Sequence, residues 1–248
     1  MSFVKVLAKR NLYKGLPKSI YEHNFDGVDD LVSIDNSNTV GNPYDFERTD
    51  PFTIAFKFST NNYNTNNFPH LFSKRENGNG VGYYSAIESG FLVFGIVGAG
   101  GATNMRLDLN IIPLSTDRII VLSYTGSSSV NGLLITLCDE KGIPITVVNT
   151  AINSSTITGT IKNISKLHIG CRGDVNFFHG GRLGNFSIFN TALTGVQINE
   201  LAPLIVANSV DKHSLYTNCV GYWKQYANKL INIKNSSYDG TYGGFVNP

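Results

Sequence analysis

Phe177, Phe178 and His179, with Asn176 beside them, set flat rings and polar groups between two glycine-rich stretches, and Tyr83 and Tyr84 add two phenols; Trp223 is a further ring. Rings for the apolar faces of sugars and a few polar groups to fix their orientation are the mixture that carbohydrate recognition needs. For each of these rings, packing in a core is the competing role. Asp26, Asp29 and Asp30 set three carboxylates within five residues, and Asp174 adds a fourth beside the aromatic loop. Hard oxygen ligands of this kind suit calcium, the one cofactor these residues point to, although EF-hand spacing is absent and Asp also caps turn amides. Catalytic patterns are missing. None of Glu22, Glu47, Glu76, Glu88, Glu140 and Glu200 has an acid two residues later, so the alternating carboxylates of an E-x-D-x-E strand do not occur. The histidines lie outside any H-E-x-x-H or nucleophile-elbow pattern, and no catalytic residue is assigned. Gly98 to Gly101 lacks the G-K-[ST] ending of a phosphate loop and reads as a turn. Arg172-Gly173-Asp174 is an adhesion tripeptide of a length that arises by chance.

Composition narrows the partner. A chain of 248 residues with 42% hydrophobic content suffices for one large all-β domain, and a net charge of +2 with 15% charged residues gives no basic stripe for nucleic acid. A neutral partner such as a cell-surface glycan fits better. Lys5, Lys9, Arg10 and Lys14 form a basic arm over residues 1–20, either docking to an acidic partner or discouraging edge-strand pairing. The same lysines interrupt the apolar run a signal peptide needs, and Phe91 to Val97 is too short to span a bilayer, so cytoplasmic synthesis without membrane insertion is expected. Cys138, Cys171 and Cys219 form no C-x-x-C pair and read as free core thiols.

The elements that position these groups are strands. Phe52, Ile54, Phe56 and Phe58 alternate with Thr53, Ala55 and Lys57, and Phe186 and Ile188 alternate with Asn185 and Ser187, the period of half-buried strands. Further strands are expected at 118–124, 133–138, 143–148 and 157–161, and Phe91 to Val97 reads as a central strand. Thr194 and Gln197 form a capping box opening a single helical turn that carries Ile198 and Leu201. The pattern predicts an all-β, antiparallel two-sheet sandwich with one short helix after the closing strand.

Lys166 to Leu201 combines an "IG" strand end, an aromatic-rich loop, a strand opened by G-x-L, then IFNTALT and a capped helix. It follows FDGVDDLVSI, DPFTIAFKF and HLFSKRENGNGVGYY in order. This succession resembles the concanavalin A-like lectin/glucanase superfamily, in particular its laminin-G-like and pentraxin-like branch. The resemblance covers residues 21–202 and implies a jelly roll, often glycan-binding and sometimes calcium-binding. Residues 203–248 contain a tryptophan and a D-G-T-like turn that precede the first block in the resembling families and follow the last block here. They are expected as a C-terminal extension packing on the sandwich. The functional expectation is a non-catalytic, lectin-like protein recognising cell-surface polysaccharide. By analogy it is displayed on a bacteriophage virion or other large assembly, whose subunits, self included, are further partners. The alternatives are a structural capsid-decoration or fibre protein and a polysaccharide-degrading glycosidase.

Overall fold

A computed structural model describes residues 22–63, 68–76, 80–226 and 229–244, so the basic arm Lys5, Lys9, Arg10 and Lys14 lies outside the described residues. In chain order the strands are β1 (Glu22–Asp26), β2 (Leu31–Ile34), β3 (Phe52–Thr60), β4 (His70–Arg75), β5 (Gly82–Glu88), β6 (Phe91–Gly98), β7 (Gly101–Asp108) and β8 (Arg118–Tyr124). There follow β9 (Leu133–Cys138), β10 (Pro144–Ile145), β11 (Asn149–Ser154), β12 (His168–Ile169) and β13 (Gly180–Phe189). Helix α1 (Gly195–Val206) precedes β14 (Cys219–Tyr226), β15 (Lys229–Asn232) and β16 (Gly240–Gly243).

Every pairing is antiparallel, and the strands form two layers. The first runs β10-β9-β8-β3-β13, with β1 and β14 sharing the far side of β13. The second runs β15-β16-β2-β12-β4-β5-β6-β7-β11. Strand β14 joins them, since Cys219 to Tyr222 pair with β13 while Trp223 to Tyr226 pair with β15. Strands β14, β15 and β16, within the extension expected over 203–248, are therefore paired into the sheets rather than laid on them. Trp223 is fully buried at this corner, where its indole N–H donates to the Tyr238 carbonyl at 2.7 Å.

The inward phenylalanines of β3 meet Phe72, Phe94, Phe186 and Trp223 from both layers in one core. A second apolar cluster covers the outside of the first layer, where Ile198, Leu201, Ala202 and Ile205 of α1 pack on Ala55, Val121 and Phe189. The capping box forms, but the helix extends well beyond the expected single turn and includes Pro203. Parity along β13 is broken by a bulge between Gly184 and Ser187, so that Leu183 and Phe186 both face the core. Asn185, at φ +49°, turns outward there and donates to the Ile205 carbonyl at the end of α1.

Two expected strands fall away. Only Pro144 and Ile145 pair within 143–148, because the chain there leaves the first layer for the second. Residues 157–161 form a loop that buries Ile157 and Ile161 without ladder pairing. At the crossing, the Asn149 side chain accepts from the Ile135 N–H at 2.9 Å and donates to the Ile135 carbonyl at 3.0 Å. All three cysteines are free and buried, and burial pushes their thiols up to about 12.

Candidate functional site

Among the described residues no helix covers the outside of the second layer, and strand alternation places polar groups along it. The paired row Thr241, Ser33, His168, Ser73, Tyr84, Gly95, Asn104 and Asn153 crosses β16, β2, β12, β4, β5, β6, β7 and β11. Neighbouring inward positions, among them Val32, Phe72, Tyr83 and Phe94, lie in the core. Within this row Ser33 Oγ and His168 Nδ1 are 3.0 Å apart, and burial lowers His168 to about 4.

A compact group of rings and guanidinium planes surrounds Tyr84. The Arg75 guanidinium lies 4.4 Å from the Tyr84 ring centroid, and the His70 ring lies 5.3 Å from Tyr84 and 6.5 Å from Phe177. Arg172 stacks on Phe177 at 3.9 Å while forking onto Asp174 at 2.7 and 2.5 Å. Stacking and the bidentate pair hold both planes, which limits the rotamer freedom lost when a ligand binds. The Arg172 hydrogen bond also holds the Asp174 carboxyl below the usual carboxylate range, leaving it ionised as an acceptor. The adhesion tripeptide thus binds itself.

The loop that delivers Phe177 is tightly specified. The Phe177 carbonyl accepts from the His70 N–H at 2.9 Å, and the Asn176 carbonyl accepts from the Arg172 N–H at 2.8 Å. A Cβ on Gly173 would sit 2.4 Å from the Arg75 carbonyl oxygen, so only glycine allows the loop to close over β4. Val175 and Phe177 both adopt φ +57°, a costly region for side chains of these types.

Several polar atoms here have no hydrogen-bond partner although they are buried: His70 Nε2, Ser73 Oγ and Asn104 Oδ1. His70 Nδ1 lies 2.8 Å from the Phe68 carbonyl, which assigns its proton there and leaves Nε2 as an acceptor. Burial lowers His70 to about 4, so it is neutral at physiological pH. Unsatisfied buried groups are costly, and hydroxyls of a ligand or ordered water would relieve them.

The sequence-derived candidates divide accordingly. Tyr84 and Phe177 are half-buried and brought together through His70, and Asp174 joins them; Asn176 is exposed and Phe178 half-buried in the same loop. Tyr83 and His179 do not reach the surface. Tyr83 points into the core and donates to the Tyr44 carbonyl at 2.8 Å, while His179 packs between Phe25 and Phe58 with Nε2 3.1 Å from the Ser59 carbonyl. Trp223 is likewise a core residue. Asp26, Asp29 and Asp30 gather carboxylate oxygens within 4.8 Å of one another, a donor set chemically suited to calcium, and Asp174 is not among them. Asp26 accepts from the Val28 and Asp29 amides and Asp30 from the Asp26 amide, so these acids also cap their own turn. His70, Ser73, Arg75 and Asn104 carry no motif in the sequence: the first three lie along β4 and Asn104 lies on β7, and sheet register joins them to one another and to the loop bearing Arg172.

No family model and no curated relative matches the sequence. Among solved structures, a protein from Bacteroides ovatus ATCC 8483, proposed to bind carbohydrate, aligns over 92% of this chain and 59% of its own, with TM-score 0.53 and 14% identity. A tryptophan-to-alanine mutant of HCR/D aligns over 78% of this chain and 44% of its own, with TM-score 0.51 and 11% identity. The chain spans about half the length of these structures. At such identities the likeness is one of fold, the all-β sandwich.

Proposed function

We propose that the chain is a non-catalytic carbohydrate-recognition protein that binds a hydroxyl-rich glycan on the outside of its second layer. The observation that carries this reading is the polar row through Tyr84, flanked by stacked arginines and rings and by the unpartnered atoms of His70, Ser73 and Asn104. Such a surface offers apolar faces for sugar C–H groups with fixed donors and acceptors for hydroxyls. The carbohydrate binding proposed for the Bacteroides ovatus protein supports the reading, as does the resemblance to concanavalin A-like lectins. Cell-surface polysaccharide is the proposed ligand and display on a virion or comparable assembly the proposed setting, both by analogy with lectin-like surface proteins. A glycosidase needs one carboxyl raised to act as acid. In this cluster Arg172 holds Asp174 low, which suits a hydroxyl acceptor and not a proton donor.

The test is a glycan array followed by titration calorimetry on wild type and Tyr84→Ala, with and without a calcium chelator. Binding that Tyr84→Ala weakens by about tenfold or more, with the fold retained, is the expected result. Loss of that binding on chelation, reproduced without chelator in Asp29→Asn but not in Asp174→Asn, would assign calcium to Asp26, Asp29 and Asp30. Absence of any bound glycan at high protein concentration would overturn the reading in favour of a decoration or fibre subunit.

A further inference from the structure

We propose that the same face carries a second subsite, built for a sugar bearing a carboxylate, so that the ligand is an acidic oligosaccharide lying across the strands. This inference rests on the carbohydrate reading and adds a place and a charge to it. A cavity of about 440 Å³ is lined by Glu88, Ser89, Phe91, Val93, Arg106 and Ile152, within the size range of small-ligand sites. Its walls come from distinct local devices. Ser89 and Gly90 have positive φ between the paired residues Glu88 and Phe91, the geometry of a tight hairpin turn, which is pinned where Gly90 N–H meets the Tyr63 carbonyl at 2.9 Å. Ile152 is the extra residue of the β11 bulge between Ala151 and Asn153, and it stays 39% exposed as an apolar wall.

Arg106 supplies the charge. Its guanidinium lies 4.2 Å from the Phe91 ring centroid, its buried Nε has no partner, and among the described residues it makes no ion pair. Glu88 lines the cavity from β5, two strands away and one row along, so the two Cα atoms are separated by about 12 Å. The cavity therefore has a cationic wall, an acidic wall and an apolar side. A sugar acid matches it by setting its carboxylate on the Arg106 fork and its hydroxyl edge towards Glu88. Through the pairs Arg106–Val93, Val93–Ala86 and Ala86–His70, this subsite lies three strand spacings, about 14 Å, from the Tyr84 cluster. Between them Ala86 and Val93 are buried, and Gly95 lies directly beneath the Tyr84 ring and the Asn104 amide, so the small residues keep those side chains low on the sheet. A single monosaccharide does not span that distance.

The experiment titrates wild type, Arg106→Gln, Arg106→Lys and Tyr84→Ala with trisaccharides ending in glucuronic acid or in N-acetylneuraminic acid, each beside its carboxyl-reduced counterpart. Expected is a loss of about tenfold or more on carboxyl reduction in wild type, the same loss in Arg106→Gln for the acid form, and no further loss when both changes combine. Arg106→Lys should retain part of the preference, which separates charge recognition from damage to the fold. The two sugar acids decide which carboxylate geometry fits. If the reduced sugars bind as tightly as the acids while Tyr84→Ala still abolishes binding, this inference falls and the carbohydrate reading stands. If wild type binds none of these sugars and no array glycan, both fall.

Discussion

Val175 carries a conformational cost that its own side chain does not repay. A β-branched residue at φ +57° is strained by roughly 1 to 2 kcal/mol, and Val175 is 48% exposed, so little burial offsets that. Val175→Asn, which keeps a side chain but tolerates this region, should stabilise the protein by about 1 kcal/mol, raising Tm by about 2 to 4 °C. A thermal melt showing an unchanged or lowered Tm would mean the loop is not strained at this position. The neighbouring Phe177 repeats the strain, and its carbonyl is held by His70, so the cost is concentrated where rings and guanidinium planes converge. At this scale the sequence was legible in residue type and less so in direction. Tyr83 and Tyr84 are adjacent in a strand, and a period of two sends them to opposite faces, so only one of the pair is able to meet a ligand. That constraint is readable without coordinates. The burial of His179 is not, because it depends on Phe25 and Phe58 arriving from distant strands.

Helix α1 and strand β13 illustrate what an element's pattern does and does not disclose. Thr194 and Gln197 exchange both bonds of the capping box, and Thr194→Ala should cost about 1 kcal/mol, seen as a lower denaturant midpoint at unchanged slope. An unaltered midpoint would show that packing alone holds the helix. The start of the helix was plain from that motif. Its end was obscured by Pro203, which forfeits one helical hydrogen bond and reads as a stop. Yet Ile198, Leu201, Ala202 and Ile205 follow an i, i+3, i+4, i+7 stripe across it, and their burial on the first layer outweighs the lost bond. The bulge at Asn185 was hidden for a different reason. An extra residue leaves the local alternation of Phe186 and Ile188 intact and shifts only its phase relative to Leu183.

Taken whole, the molecule is two-sided: α1 roofs one layer, and the other presents its polar row. The two-layer plan was legible because alternation recurs strand after strand, whereas the route of β14 between layers depends on a corner that no periodicity encodes. The interior also makes a global prediction. His23, His70, His168 and His179 are each lowered by burial to about 4 from an ordinary 6.5. The unfolded chain therefore takes up protons as pH falls below 6.5, while the folded chain does so only near 4. Stability should drop steadily across that interval, by up to about 3 kcal/mol per histidine, and the loss should be complete below pH 4. Denaturant melts at pH 7.5 and 5.0 that coincide would disprove it.

The amide of Asn149 has one more effect. By occupying both backbone groups of Ile135 it closes that stretch of β9 to an incoming strand, and Asn149 itself opens β11, whose bulge between Ala151 and Asn153 makes the adjoining edge of the second layer irregular. Copies held shoulder to shoulder at high local concentration are thereby discouraged from zipping together by strand addition. Whatever arrays they form are left to side-chain contacts, which can be made and undone without opening the fold.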